Sequence, residues 1–221
     1  MSLRLYYFPT PNGRKVAIAL EEMGLAYEVR VVHILKNEQI DPDYLRINPN
    51  GRIPALTDDT GEGEPVAVFE SGAMLQYLGR KTGMFYPAAE AQRCVVDSWL
   101  HWQMAGLGPM TGQVTFFKRA AQKPERDPES CAFAIRRFEK EMRRLYEVLE
   151  SQLDGRDFIC GDYSIADMAC WPWVKQHGDY LGDLSEFPNI RAWRDRIGAR
   201  PAVERALKVG TDQIPEFAKR G

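Results

Sequence analysis

The chain contains four cysteines in 221 residues, and none occurs before Cys94. No two cysteines have the Cys-x-x-Cys spacing that a dithiol redox centre or a cysteine-rich zinc site needs. Histidines are also few and far apart in sequence, so we expect no metal site; they are His33, His101 and His177. We expect the scattered cysteines to be buried small hydrophobic side chains in a reducing compartment.

An excess of charge and a long apolar run are also absent. Lys and Arg number 29 against 31 Asp and Glu, with nine basic and eleven acidic residues up to Tyr86 and twenty of each after it. Neither part has the basic surface that binds nucleic acid. No apolar stretch approaches membrane-spanning length, and the first residues lack the basic-then-apolar pattern of a signal peptide. We therefore expect a cytoplasmic protein that binds neither nucleic acid nor membrane.

The first part of the chain alternates between strand and helix patterns. Residues 3–8 predict a buried strand, a helix follows and ends near Gly24, and residues 27–34 predict a second strand. Short strands at 55–57 and 66–69 precede a helix that begins at Ser71. The order βαβ then ββα predicts an α/β domain over residues 1–83.

The remainder of the chain shows helical patterns alone. Long amphipathic segments cover about 88–121, interrupted at 106–109, and about 129–153. Ser164, with Asp167 three residues later, predicts a capping box at a helix start. Two short helices close the chain, so we predict an all-helical domain over residues 88–221.

Thr10 and Asn12 lie at the predicted junction between the first strand and the first helix. Open α/β folds bind ligands at this position, where polar side chains meet a helix N-terminus. The alternative is a turn in which both side chains only cap the helix.

Two further features complete a candidate site. Pro54 has no N–H and cannot lie within a strand ladder. Ile53, the residue before it, is held in an extended conformation that leaves its main-chain groups available to a ligand. The alternative is an ordinary trans proline at the edge of the sheet, without a ligand. Glu70 precedes Ser71 at a helix start, where both could contact a ligand. The alternative is that Glu70 is only a favourable charge near the helix dipole and Ser71 only the N-cap. Together with Thr10, these residues predict a ligand with a peptide backbone, an α-amino group and an α-carboxylate.

These segments resemble the glutathione transferase superfamily over nearly the whole chain. The resemblance rests on TPNG at 10–13, LRINPNGRIPAL at 45–56, FESG at 69–72, the Ser164–Asp167 box and the closing FPNIRAWRDRIGARPAVERAL. The TPNG segment, the region 99–110 and ACWPW at 169–173 are similar to the bacterial nu class. This similarity implies a thioredoxin-like domain followed by a helical domain, a homodimer, and glutathione-dependent disulfide-bond reduction.

The resemblance also implies a role for each candidate residue. Thr10 and Asn12 would face the sulfur of glutathione, which acts as co-substrate without a metal. Ile53, before a cis Pro54, would pair with the cysteinyl main chain, and Glu70 and Ser71 would hold the γ-glutamyl end. The other implied glutathione contacts are Gln39, Arg52 and Arg137.

Two assignments stay open. Arg136 is adjacent to Arg137, and a solvated helix charge is the alternative for either. Many classes of the superfamily use a Tyr, Ser or Cys near the end of the first strand, where this chain has Tyr6 and Tyr7. Strand alternation puts these two on opposite faces, so we expect at least one in the core and rank Tyr7 behind Thr10 and Asn12.

Four functions are compatible with these observations. The leading hypothesis is reduction of small disulfides by an activated glutathione thiolate, and the second is conjugation of glutathione to small electrophiles. A non-catalytic glutathione-binding or regulatory module is the third. A thioredoxin-type redox protein is the fourth, and the missing N-terminal cysteine argues against it. The second substrate would bind in the helical domain, around Trp102, Met110 and Phe116.

Overall fold

The computed structural model describes residues 2–61 and 63–214. The chain divides into two compact units, one that extends to Tyr86 and resumes at Gly198, and one that spans Pro87–Ile197. The domain bounds 1–83 and 88–221 stay a prediction.

The first unit is built on a four-stranded sheet with the strand order β2-β1-β3-β4. β1 (Leu3–Tyr7) pairs in parallel with β2 (Glu28–Val31) and antiparallel with β3 (Ala55–Asp58). β3 pairs antiparallel with β4 (Val66–Phe69). The parallel pair requires a crossover, which α1 (Pro11–Glu22) supplies. The predicted thioredoxin-like order, βαβ then ββα, is confirmed.

Both ends of α1 are as the sequence predicts. Thr10 is the N-cap, Pro11 occupies the first turn, and Gly24 adopts a φ of 64° just after the helix. Glycine tolerates this left-handed conformation without the steric cost that a side chain would add. β2 is shorter than the predicted span 27–34, because the chain turns into a 3-10 segment at Ile34–Lys36.

Two helices pack against α1. One is α3 (Ser71–Thr82), which also contacts β3 and β4, and the other is α9 (Pro201–Leu207). Arg200, just before α9, forms an ion pair of 2.6 Å with Glu22 at the end of α1, although the two residues are 178 positions apart. The closing helix is therefore part of the first unit.

Successive residues of β1 point to opposite faces of the sheet. The ring of Tyr7 lies against Gly13 of α1, and the ring of Tyr6 lies 5.9 Å from that of Tyr44 in α2 (Pro42–Leu45). Tyr6 is buried and Tyr7 has no exposed surface. Both tyrosines are thus core residues, whereas the alternation of side chains along the strand predicted that at least one of them would be.

The second unit contains five α-helices within its described residues. They are α4 (Glu90–Trp102), α5 (Gly108–Ala120), α6 (Pro128–Gln152), α7 (Ile165–Lys175) and α8 (Pro188–Gly198). The predicted all-helical character is confirmed. The predicted interruption between α4 and α5 is instead a π-helical segment, Gln103–Leu107, which carries the chain directly from one helix into the next.

The capping box at the start of α7 is confirmed. The Ser164 N–H donates to Asp167 Oδ2 at 3.0 Å, and the Ser164 hydroxyl accepts from the Ala166 N–H at 3.3 Å. Asp167 also accepts hydrogen bonds from the Ile159 N–H and the Trp193 indole. Complete burial nevertheless raises the pKa of Asp167 to about 6.

The cysteines are not all buried. Cys131 and Cys170 lie in the core, and Cys160 is half-buried, with a thiol pKa that burial raises to about 12. Cys94 is exposed on α4, so the expectation is wrong for this residue. α4 buries Val96 and Leu100, and Cys94 lies off that face.

Neither a membrane helix nor a metal cluster is present in the part of the chain that the structure describes. No helix there combines the length and the apolar character needed to cross a membrane. No three His, Cys, Asp or Glu side chains there are placed to hold a metal ion.

Candidate active site

The register of the sheet brings the predicted site segments to one edge. Tyr6 of β1 is paired with Ala55 of β3, and Ala55 is paired with Phe69 of β4. The end of β1, the start of β3 and the end of β4 are therefore neighbours. The chain segments that leave or enter this edge carry Thr10, Asn12, Ile53, Pro54, Glu70 and Ser71.

Thr10 caps the N-terminus of α1. Its hydroxyl accepts a hydrogen bond from the Gly13 N–H at 3.3 Å, and Asn12 lies in the first helical turn. Both side chains are half-buried. The capping alternative is thus correct for Thr10, but a hydroxyl that accepts one hydrogen bond can still donate another. Thr10 can therefore cap the helix and donate to a ligand sulfur at the same time.

Tyr7 is poorly placed for contact with a ligand. It has no exposed surface, and burial raises its pKa to about 12, while the nearby Arg14 guanidinium acts in the opposite direction. The hydroxyl is thus protonated at neutral pH and lies below the surface. This position favours Thr10 and Asn12 over Tyr7 as the groups that face a sulfur.

The Ile53–Pro54 peptide bond is cis. Among the described residues, Ile53 makes no backbone-to-backbone hydrogen bond, and it lies outside the strand ladder. The preceding carbonyl, of Arg52, accepts from the Tyr44 hydroxyl at 2.5 Å and from the Asn48 amide at 2.6 Å. Two donors thus hold the loop, and the main chain of Ile53 can pair with an extended peptide.

Gln39 lies beside this loop, in the 3-10 segment Glu38–Ile40. A Cβ on Gly51, whose φ is 60°, would lie 3.4 Å from the Gln39 carbonyl oxygen, which shows how closely the two segments approach. The side-chain oxygen Oε1 of Gln39 is buried and accepts no hydrogen bond from any residue that the structure describes. A buried acceptor of this kind is suited to a ligand N–H. The side chain of Arg52 is exposed.

Glu70 has an unusual backbone conformation at the start of α3. Its φ is 69° and its ψ is 117°, and its exposed side chain caps none of the helix N–H groups. Such a conformation costs a non-glycine residue about 1–3 kcal/mol. Ser71 is the first helical residue, and the N-cap position is occupied by Glu70, so the alternative in which Ser71 is the N-cap is wrong. The strained backbone, and a carboxylate that caps none of the helix N–H groups among the described residues, indicate a functional position.

Lys15 is a site residue that the sequence reasoning did not identify. It lies on α1, only 1% of its surface is exposed, and its Nζ donates to the Ser71 hydroxyl oxygen at 3.4 Å. Ser71 is itself buried. A signal was available, because positions 15, 18 and 19 share one face of a helix and the other two are Ile18 and Ala19. A lysine in that apolar stripe needs a buried polar partner.

Arg137 is exposed on α6, as is Arg136 beside it. The pKa of Glu141 is lowered mainly by its hydrogen bond with Arg144, and the positive charge of Arg137 lowers it further. The structure thus shows Arg137 as a helix surface charge, and its role toward a ligand stays a prediction. The expected second-site residues lie on α4 and α5, where Trp102 and Met110 are half-buried and Phe116 is exposed.

Two family models match the chain. The model described as glutathione S-transferase, N-terminal domain, matches residues 10–81, and the model described as glutathione S-transferase, C-terminal domain, matches residues 113–201. The chain belongs to the glutathione S-transferase family. This membership agrees with the resemblance that the sequence showed.

Individual relatives cover nearly the full chain. Disulfide-bond oxidoreductase YfcG of Escherichia coli is 44% identical over 92% of this chain and 93% of its own length. A crystal structure of a glutathione transferase from Burkholderia graminis has two glutathione molecules per subunit; it is 44% identical, covers 94% of this chain and 88% of its own, and has a TM-score of 0.87. A crystal structure of a glutathione transferase from Pseudomonas putida holds one glutathione disulfide per subunit. It is 39% identical, covers 94% of this chain and 91% of its own, and has a TM-score of 0.85.

Proposed function

We propose that this protein is a glutathione-dependent disulfide-bond reductase in which bound glutathione supplies the reactive sulfur. The observation that carries the proposal is the convergence at one sheet edge of a strand-to-helix junction, a cis-proline loop and a strained Glu70. This edge has donors for a sulfur and an anion for an ammonium, and the main chain of Ile53, which makes no backbone hydrogen bond to the described residues, can pair with a peptide. Its relative YfcG is named a disulfide-bond oxidoreductase.

The thiol chemistry needs no cysteine of the protein. The glutathione thiol loses its proton to solvent, and the thiolate attacks one sulfur of a small disulfide; a new S–S bond forms as the old one breaks, and the other sulfur leaves as a thiolate. A second glutathione thiolate attacks the mixed disulfide, which releases the remaining thiol and yields glutathione disulfide. Two glutathiones are oxidised for each disulfide reduced.

Thr10 and Asn12 can supply the activation energetically. A free thiol has a pKa of about 8.5, and lowering it to about 6.5 requires about 2.7 kcal/mol of preference for the thiolate. Hydrogen bonds to a charged group contribute about 1.5–3 kcal/mol, and the N-terminus of α1 adds a favourable dipole. These donors are sufficient without a general base.

The remaining contacts follow from the chemistry of glutathione. We assign the cysteinyl main chain to Ile53 beside Pro54, the γ-glutamyl ammonium to Glu70, and its carboxylate to Ser71 and the α3 N-terminus. Gln39 and Arg52 would bind the other polar groups of the tripeptide, and Arg137 a second glutathione. Oxidised glutathione bound in a crystal of this protein would test every one of these contacts at once.

Substrate assays separate the two enzyme hypotheses. We expect turnover of hydroxyethyl disulfide with glutathione and negligible conjugation of chlorodinitrobenzene. The reverse pattern would make conjugation the main activity. If neither reduced nor oxidised glutathione shifts the melting temperature, both enzyme hypotheses and the non-catalytic binding module fail together.

We also propose a cytoplasmic homodimer of the nu class. β4 is an edge strand that exposes the apolar Val66 and Phe69, and α4 exposes Val95. Apolar side chains on an edge strand are typical of surfaces that another chain covers. Sedimentation equilibrium should give twice the 25.2 kDa chain mass, and a monomer at micromolar concentration would contradict the dimer.

A further inference from the structure

We propose that the first unit has a second binding site, for a short peptide whose terminal ammonium and carboxylate are both free. The site is a cleft of about 720 Å³ between the sheet face that carries Tyr6 and the segment from Glu38 to Tyr44. This volume lies within the range of about 300–1,000 Å³ that is typical of small-molecule sites. The described residues that line the cleft include none of the candidate active-site residues, so the inference does not depend on the proposed function.

One wall of the cleft carries a positive charge that is not engaged in an ion pair. Arg30 of β2 is paired in the sheet with Tyr6 of β1, so both side chains lie on the same face. The Arg30 side chain is exposed and forms no hydrogen bond or ion pair with any residue that the structure describes. Glu28, the acidic residue of the same strand, is already bound by Arg4 at 2.7 Å. The Arg30 guanidinium can therefore bind a ligand carboxylate through two parallel hydrogen bonds.

The opposite wall carries negative charge. Asp41 occupies the N-cap position of α2, where an aspartate usually accepts a hydrogen bond from a helix N–H, but its exposed side chain caps none of them. Among the described residues, this carboxylate also takes part in no other hydrogen bond or ion pair. Glu38 is half-buried, and its Oε2 accepts from the His33 N–H at 2.7 Å, so the carboxylate retains lone pairs for a further donor. Together the two carboxylates provide acceptors for a ligand ammonium.

The charges on the two walls define the chemistry of the ligand. Arg30 would repel a simple cation, and Asp41 and Glu38 would repel a polyanion, whereas a zwitterion with its charges at opposite ends complements both walls. The third acidic group of the cleft, Asp43, is already in an ion pair of 2.6 Å with Arg46. A peptide is the zwitterion that fits best, because β2 lies at the edge of the described sheet and its outward main-chain groups can pair with an extended chain.

Triglycine is a suitable probe, because it has both terminal charges but no thiol and no side chain. A titration followed by heteronuclear NMR of the full chain would give its Kd and locate it on the protein. We expect the shifted amide resonances to cluster in residues 28–32 and 38–47. N-acetyltriglycine lacks the ammonium and triglycinamide lacks the carboxylate, so each should bind about three- to tenfold more weakly than triglycine.

Two neutral variants test the walls one at a time. Arg30→Gln should weaken triglycine about three- to tenfold and lose the preference over triglycinamide, while it keeps the preference over N-acetyltriglycine. Asp41→Asn should show the converse pattern. Both residues are exposed, so we expect both variants to fold. Arg80→Gln is the matched control, because it removes an exposed arginine of α3 that does not line the cleft, and it should leave every Kd unchanged.

The crossed loss of preference in the two variants would support the inference. Equal affinity of the wild-type protein for triglycine and for both blocked peptides would overturn it. Absence of shifts in residues 28–32 and 38–47 would also overturn it. Shifts confined to the neighbourhood of Thr10, Ile53 and Glu70 would place triglycine in the candidate active site and would likewise contradict a second site.

Discussion

Gly13 lies so close to Phe8 that a Cβ on Gly13 would be 2.3 Å from the Phe8 carbonyl oxygen. The contact holds the first turn of α1 against the end of β1, and this turn carries Thr10 and Asn12. A side chain at position 13 would have to displace backbone rather than a flexible side chain. The positions of Thr10 and Asn12, the two candidate sulfur ligands, thus depend on Gly13, the next residue of α1.

Gly13→Ala should therefore lower both stability and turnover. We expect a loss of about 1–3 kcal/mol in the free energy of unfolding, measured by urea denaturation, and a larger relative loss of disulfide turnover. Gly178→Ala is the matched control, because a Cβ there would meet no atom within 4 Å. Wild-type stability in Gly13→Ala would contradict the close approach.

Thr10 and Asn12 can be tested separately from the helix cap. Thr10→Ala removes both the cap and the donor, and should cost about 0.5–2 kcal/mol of stability together with most of the disulfide turnover. Thr10→Ser keeps the hydroxyl and should retain both properties. Asn12→Ala should lower disulfide turnover and raise the pKa of the thiol of bound glutathione, measured by thiolate absorbance. Wild-type rates in Thr10→Ala and Asn12→Ala would mean that other groups bind the sulfur.

Strain and ligand binding can be separated at Glu70. Glycine adopts a φ of 69° without strain, so Glu70→Gly should be about 1–2 kcal/mol more stable than Glu70→Ala in thermal or urea unfolding. Both variants should bind glutathione about 10- to 100-fold more weakly, because each removes the carboxylate. Glutathione affinity that is unchanged in Glu70→Ala would exclude Glu70 as the ammonium ligand.

The raised pKa of Asp167 predicts a pH dependence of stability. The native pKa of about 6 lies above the ordinary value of 3.8, so the folded protein holds more protons than the unfolded chain between these values. The free energy of unfolding should therefore fall as the pH rises through this range, by about 2–3 kcal/mol from this residue.

Asp167→Asn removes this titration and isolates its contribution. The stability difference between the wild type and Asp167→Asn should shrink by that amount from pH 4 to pH 7, as followed by urea denaturation. Asp183→Asn provides a contrast, because the hydrogen bonds from Ser185 lower the pKa of Asp183 and predict the opposite trend. Parallel stability curves for Asp167→Asn and the wild type would contradict the raised pKa.

Replacement of all four cysteines by Ala or Ser should leave disulfide turnover largely intact, provided that circular dichroism shows a folded protein. Cys131 and Cys170 are core side chains, so some loss of stability is expected. Cys94 is the exposed thiol, and Cys94→Ser alone is the mildest version of the test. Loss of turnover in a single folded cysteine variant would show that the protein supplies a sulfur of its own.

Features that depend on neighbours along the chain were predictable from the sequence. The end of α1 at Gly24, the capping box of Ser164 and Asp167, and the order of strands and helices all follow from short-range sterics and periodicity. The α/β fold class followed by an all-helical part was predicted for the same reason.

Other features depend on residues that are distant in sequence. Lys15 meets Ser71 only because α1 packs on α3, and Arg200 reaches Glu22 only because α9 packs on α1. Cys94 is exposed because α4 buries a different face. The sequence by itself determined the local elements and the residue types of the site. The tertiary structure decided which of those residues meet, because contacts across 56 or 178 positions depend on sheet register and helix packing rather than on any local pattern.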